Sequence, residues 1–314
     1  MARITSVLVT GANVGLGYDC ARQLALKEGM KKVILGCRNP AKAQAAKTSL
    51  EQVTGKRGMF EILIIDVSNL DSVRKAVDEL NEPINGLIMN AGGFGGRDLA
   101  KMSEYAVPVI VSTNILGHVL LVDLLLEQKK LTGTAIYSGS EAARGHEQMG
   151  FKKYEFKDGS VDEFTSLLNG SGYPKKTIES MYGVTKLIAA LWMSSMARKD
   201  PSIRFITMSP GGTTGTTFAR DMPAAQRFIM MKIIFPILKA FKQAHSLEVG
   251  AKRYVDALMD EDHYKSGVFY ASKKGATGPT VDQVIYCDYL AYEAYQDNAN
   301  TAIHKFINVG AVGA

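Results

Sequence analysis

The sequence predicts an α/β architecture, a single doubly wound parallel sheet with helices on both faces. Three observations carry that expectation. Short β-branched runs alternate with longer segments of helical period along the chain. The runs are apolar on both faces, as strands buried between two helical layers must be. A glycine-rich turn, Thr10 to Gly17, joins the first run to the first helical segment.

Val7-Leu8-Val9 reads as the first strand, and Asp19 to Lys27 as a helix with Ala21, Leu24 and Ala25 on one face. Val33-Ile34-Leu35 is a second strand, followed by a helix over Lys42 to Gln52. Ile62 to Ile65 and Leu87-Ile88-Met89 are the third and fourth strands, with a helix over Ser72 to Leu80 between them. Val107 to Glu127 covers a long helix, and Thr134 to Tyr137 a fifth strand. Met181 to Lys199 is a helix, Ile203 to Met208 a sixth strand, and Val268-Phe269-Tyr270 the last.

Two stretches break the alternation. His146 to Lys176 is polar, with glycines at 150, 159, 170 and 172, and reads as an insertion lying over the surface. Met222 to Lys242 is apolar, rich in Met and Phe, and interrupted by Pro236. Neither has the look of a separate unit. Residues 1–314 are therefore read as one domain with an insertion at about 146–176 and a substrate lid at about 212–245.

Composition narrows the class. Hydrophobic residues make up 46% of the 314 and charged residues 22%, so the chain can bury a sizeable core without disulfides. The net charge is +6, but Lys and Arg are scattered and cluster only in pairs such as Lys31-Lys32, Lys152-Lys153 and Lys175-Lys176. That pattern reads as a solvated basic surface, with no nucleic-acid face. Cys20, Cys37 and Cys287 show no metal-ligand spacing, and His118 and His146 are lone histidines, so no metal is expected. Reduced thiols, the absence of a signal-peptide layout and the absence of an apolar stretch long enough for a bilayer lead to an expected cytoplasmic location.

The glycine turn carries the first chemistry. Gly11, Asn13, Val14, Gly15, Leu16 and Gly17 follow a strand and open a helix. Glycines there let the backbone turn tightly against a pyrophosphate, and the helix start offers free N–H groups and a positive dipole end. This is the Rossmann-type signature of a dinucleotide site. The second strand decides which dinucleotide. It ends Leu35-Gly36-Cys37-Arg38-Asn39, with no carboxylate for the ribose hydroxyls, while Arg38 suits a 2′-phosphate. NADP is therefore the expected cofactor.

Tyr182 and Lys186 supply the second. Four residues apart on a helix, they share a face. An ammonium beside a phenol favours the phenolate, so Lys186 is expected to lower the pKa of Tyr182. Such a phenol can give or take a proton as a carbonyl is reduced or an alcohol oxidised. Ser140 can hydrogen-bond the substrate oxygen as charge develops there.

The order of these motifs resembles the short-chain dehydrogenase/reductase family over most of the chain. The matches are the glycine turn, Asp66-Val67, Asn90-Ala91-Gly92, Asn114, Ser140, Tyr182 with Lys186, and Pro210-Gly211. The resemblance implies that Asp66 and Val67 border the adenine and that Asn90, Ala91 and Gly92 line the cofactor ribose. It implies that Asn114 holds a water connecting Lys186 to solvent. Pro210 and Gly211 would pass the nicotinamide, with Thr213 or Thr216 near its carboxamide. Three positions depart from the family pattern. Gly215 stands where a threonine is common, and Gly139 where a serine often precedes the catalytic one. The step from Ser140 to Tyr182 is lengthened by the insertion.

Within the family, Cys37-Arg38-Asn39 and Asn114-Ile115-Leu116-Gly117-His118 are similar to retinol-dehydrogenase-like members. Phe235 to Leu238, Leu247 to Arg253 and Lys265 to Tyr270 are similar to light-dependent protochlorophyllide reductase, which has a cysteine where this chain has Ile188. The leading expectation is thus hydride transfer between NADP(H) and a small-molecule carbonyl or alcohol. Pigment photoreduction is the runner-up, and a non-catalytic NADP sensor on the same fold is the alternative of another class. Phe228, Met230, Met231, Ile234 and Phe235 suit a bulky apolar substrate. With Arg227, Lys232, Lys239 and Lys242 interleaved, the same stretch also suits contact with a membrane surface, a reading not favoured over packed core helices.

Overall fold

A parallel sheet must be covered on both faces, and the chain supplies a helix after nearly every strand. In the computed structural model, residues 4–96, 98–147, 150–214 and 244–307 are described. The strands are β1 (Ser6–Thr10), β2 (Lys32–Cys37), β3 (Phe60–Ile64), β4 (Ile84–Met89), β5 (Leu131–Ser138), β6 (Arg204–Met208), β7 (Phe269–Lys274) and β8 (Thr277–Asp282). They form one eight-stranded sheet in the order β3-β2-β1-β4-β5-β6-β7-β8. β3 through β7 run parallel, and β8 returns antiparallel against β7. The order reverses between β1 and β4, and a ligand crevice is expected beyond the strand ends at such a switch point.

The helices are α1 (Gly15–Ala25), α2 (Pro40–Thr54), α3 (Leu70–Glu79), α4 (Val109–Glu127), α5 (Val161–Leu168), α6 (Ile178–Lys199), α7 (Leu247–Met259) and α8 (Glu293–Ile307). One apolar layer joins α3, α4, α6 and α8 through Val73, Val119, Trp192 and Ile303. The other joins α1, α2 and α7 through Leu24, Leu50 and Tyr254. The doubly wound sheet expected from the sequence is the sheet found.

α6 is apolar nearly all round, and Met181 and every residue from Gly183 to Met196 are buried. Such a helix needs cover on its outer side as well as its sheet side. α8 and α5 provide it. α4, 19 residues long, is by length and composition apolar enough to cross a bilayer, which corrects the expectation that no such stretch exists. In the fold 72% of its apolar window is buried inside the protein, as a core helix is.

The insertion also corrects the sequence reading. Part of it goes inward. α5 buries Phe164, Leu167 and Leu168 at helical spacing within an otherwise polar stretch. Phe156 meets Phe164, Tyr289 and Tyr295 with ring centres 5.0, 5.0 and 5.7 Å apart. Ser160 caps α5 by accepting from the Glu163 N–H, and the Glu163 carboxylate accepts from the N–H groups of Lys157, Asp158 and Gly159. β8 was not legible in sequence because Gly278 and Pro279 interrupt it and none of its residues is fully buried. The stretch Met222 to Lys242 lies outside the described residues. The three cysteines are free and buried.

If α5 is structural, Phe164→Ala should destabilise the protein by about 3–5 kcal/mol, as deletion of a fully buried ring does. Urea denaturation checks this. A change below about 1 kcal/mol would return the insertion to the surface.

Candidate functional site

The first half of the site is backbone. β1 ends in a turn where Gly11 and Gly15 have φ of 68° and 61°. A Cβ at Gly17 would stand 2.4 Å from the Gly11 carbonyl oxygen, so only glycine lets α1 start this close to the turn. The turn is pinned from β4: Asn90 Nδ2 donates to the Thr10 carbonyl at 2.9 Å, and the Ala91 N–H donates to Thr10 Oγ1 at 3.0 Å. Val14, the residue before α1, makes no side-chain cap, and the first turn carries no acid. The leading N–H groups of α1 thus have no side-chain partner at the cap, the arrangement a pyrophosphate needs.

Arg38 is exposed just past β2 and makes no ion pair among the described residues. Asn39 caps α2 by accepting from the Lys42 N–H at 2.9 Å, which places Lys42 in the first turn of the helix. Asp66 closes its own turn, with Oδ1 accepting from both N–H and O–H of Ser68. Val67 is buried where α4 passes at Gly117, at which a Cβ would stand 1.8 Å from the Val67 carbonyl oxygen. The close approach, the open helix start and the free guanidinium fit a phosphorylated dinucleotide.

The second half is side chains. Ser140 follows β5 and accepts from the Ala142 N–H. It sits beside Tyr182: a Cβ at Gly183, the next residue, would stand 2.6 Å from the Ala142 carbonyl oxygen, and Ser140 favours the Tyr182 phenolate. Phe94 packs edge-on to the Tyr182 ring at 4.8 Å, and Phe151 lies at 6.0 Å. Lys186 reaches the same place, its Nζ 5.7 Å from the Tyr182 ring centre. The ammonium donates to the Ser138 carbonyl at 2.8 Å and to Tyr137 Oη at 3.3 Å.

The electrostatic expectation for this pair is corrected. Burial dominates both groups. It pushes the Tyr182 phenol up to about 12, with Ser140 pulling the other way and Glu141 adding to the rise. It pushes the Lys186 ammonium down to about 7. Desolvation disfavours whichever form is charged, and here it outweighs the attraction between the two.

Asn114 is fully buried on a π-helical turn of α4, Ser112–Leu116. Its amide donates to the carbonyls of Ile110 and Gly93 at 2.7 and 2.8 Å, and Oδ1 accepts from the Gly93 N–H. The wider turn and the side chain together lock the loop after β4, a role π-turns often have near functional sites. A Cβ at Gly92 would lie 2.6 Å from Asn114 Oδ1 and 3.9 Å from Lys186 Nζ, so this loop, Asn114 and Lys186 converge. His118 is buried, its Nε2 on the Ala91 carbonyl at 2.9 Å, and burial lowers it to about 3.

Pro210, Gly211 and Thr213 form the far wall. Gly211 has φ 75°, and the Thr213 hydroxyl donates to the carbonyls of Pro210 and Gly211. His245 Nε2 donates to the Pro210 carbonyl at 2.6 Å. Gly250 of α7 lies between Leu16 and Thr213, where a Cβ would stand 2.9 and 2.6 Å from their side chains. That brings the cofactor turn against this wall. Gly215 and Thr216 lie outside the described residues.

One network was not legible in sequence. Glu141, buried directly after Ser140, accepts from Ser209 Oγ at 2.6 Å and from the N–H and hydroxyl of Ser272. Arg253 of α7 donates to the Ser209 carbonyl and to Ser272, 3.7 Å from the Glu141 carboxylate. Its members lie far apart in sequence, so only the fold joins them. It ties Ser140 to the residue before Pro210.

Residues 5–176, more than half the chain, match the sequence profile described as short chain dehydrogenase. The chain is a member of the short chain dehydrogenase family. A short chain dehydrogenase/reductase of Cryptosporiopsis is 28% identical over 80% of this chain and 76% of its own. The chloroplastic protochlorophyllide reductase of Pisum sativum is 28% identical over 85% of this chain and 69% of its own. Among solved structures, L-sorbose reductase from Gluconobacter frateurii, complexed with NADPH and L-sorbose, has TM-score 0.60 at 17% identity, covering 87% of this chain and 97% of its own. The NADPH-bound carbonyl reductase from chicken fatty liver has TM-score 0.55 at 20% identity, covering 85% and 96%. The fold is thus that of the family's oxidoreductases, built to bind a nicotinamide cofactor.

Lys186 also makes stability depend on pH. Its folded value, about 7, lies below the ordinary 10.5. The unfolded chain therefore binds more protons between these values, so this group's contribution is full above 10.5 and lost as pH falls towards 7. Lys186→Met should remove that dependence. Thermal melts from neutral to alkaline pH should show the variant gaining on the wild type as pH falls. A constant difference would contradict a buried ammonium.

Proposed function

We propose that the chain is an NADP-dependent oxidoreductase that transfers a hydride between NADP(H) and a carbonyl or alcohol, with Tyr182 as acid/base. The observation that carries this reading is the convergence of Ser140, Tyr182 and the buried Lys186, whose Nζ lies 5.7 Å from the Tyr182 ring centre, together with an open dinucleotide turn. The bound cofactor supplies the hydride. Ser140 and Tyr182 hydrogen-bond the substrate oxygen as negative charge grows there, and Tyr182 gives it a proton. Lys186 then steadies the phenolate. Oxidation of an alcohol runs the same proton path in reverse. A phenol held at about 12 keeps its proton at neutral pH, the form that carbonyl reduction requires.

Phe94 and Phe151 about Tyr182 support an apolar substrate. Arg38, with no acid at the end of β2, supports NADP over NAD. Asp66, Val67, Asn90, Ala91, Gly92, Pro210, Gly211 and Thr213 complete the proposed cofactor contacts. The likeness to protochlorophyllide reductases favours one second reading, light-driven pigment reduction. Turnover of apolar ketones in the dark, with no absorbance change of protochlorophyllide under illumination, would decide for the first.

In an NADPH-oxidation screen over apolar aldehydes and ketones, Tyr182→Phe should lower kcat by about 10²–10⁴-fold while NADPH still binds. Normal turnover in that variant would remove Tyr182 as the acid. In fluorescence titrations the protein should prefer NADPH to NADH, and Arg38→Asp should weaken NADPH by about 10–100-fold. Equal affinities in the unaltered protein would defeat the assignment.

A further inference from the structure

Lys186 is 4% exposed, so its charge depends on the acceptors the protein provides. One is the Ser138 carbonyl at 2.8 Å, and the second is Tyr137 Oη at 3.3 Å. Tyr137 stands at the end of β5, buried, with its ring edge-on to Trp192 at 6.3 Å and to His118 at 6.0 Å. Its hydroxyl has one proton, and that proton goes to the Asn114 backbone carbonyl at 2.9 Å. The lone pairs of the oxygen are left for Lys186.

We propose that Tyr137 is a positioning residue for Lys186: its hydroxyl, held by the Asn114 carbonyl, is a fixed second acceptor that favours the charged form of the buried amine and aims it at the Tyr182 ring. This rests on the reading of Lys186 as the charge partner of Tyr182. Burial drives the Tyr137 phenol well above its ordinary value, so it stays a neutral hydroxyl and never competes as an acid. The titratable groups facing Lys186 are Tyr182 on its own helix, Tyr137 from β5 and His118 from α4. His118 is neutral at working pH, and Glu141 and Tyr254 bear on the tyrosines around the ammonium. Tyr137 is thus the side chain that donates nothing to Lys186 and accepts from it. It supplies, from the protein itself, a hydroxyl between Asn114 and Lys186, where the family resemblance implies a water.

The test is the titration of Lys186 in the full chain labelled with 13Cε-lysine, its resonance assigned by loss in Lys186→Met. In Tyr137→Phe, which removes one oxygen, the Lys186 midpoint should fall by about half a unit or more, because the charged amine depends on this acceptor more strongly than the neutral amine does. A midpoint unchanged to within about 0.2 units in a folded variant overturns the proposal and leaves Tyr137 a packing residue. If Tyr137→Phe does not fold, difluorotyrosine at 137 keeps the shape with a poorer acceptor oxygen. It should shift the midpoint in the same direction by less, and no shift overturns the proposal. Turnover of Tyr182→Phe is scored separately. Full activity there would sink the proton-transfer reading, while the Lys186 titration still decides for or against the Tyr137 link.

Discussion

Lys186 holds an ammonium group almost out of water, and burial of a charge costs several kcal/mol even after the surroundings relax. The fold meets that cost with fixed dipoles. β5 presents the Ser138 carbonyl and the Tyr137 hydroxyl, and α6 carries the lysine past both. α6 can run through the interior because α5 and α8 cover its outer face. The inserted segment and the last helix, remote in sequence from the site, therefore hold up the element that bears Tyr182 and Lys186.

The opposite wall follows the same logic of fixed backbone. Asn90 pins the turn after β1, Asn114 pins the loop after β4, and Glu141 with Arg253 fixes the segment before Pro210. Asn114, Glu141 and Arg253 are buried and Asn90 is partly so, each with hydrogen-bond partners, and such networks give rigid, single arrangements. They lie at the ends of β1, β4, β5 and β6, so the loops there are held by groups with little freedom to move.

Much of this was legible in the sequence, for local reasons. The glycine turn announces itself because Gly11, Gly15 and Gly17 meet a backbone requirement within a few residues. Tyr182 and Lys186 announce themselves by helical spacing. Seven of the eight strands show as apolar runs, while β8, with Gly278 and Pro279, does not. The sign of the Tyr182 shift was misread because spacing reveals proximity and not burial. Phe164, Leu167 and Leu168 were hidden by the polar residues around them. Tyr137, Phe94 and the Glu141–Arg253 pair had no signal at all, since each acquires its meaning from a partner many residues away.

The central claim is that a hydride passes from the cofactor to a carbonyl carbon at the Ser140–Tyr182 corner. Deuterium placed at both C4 positions of NADPH, followed by mass spectrometry of the alcohol product, tests it most directly. The account predicts one deuterium retained at the carbinol carbon. An unlabelled product formed while NADPH is consumed would contradict it.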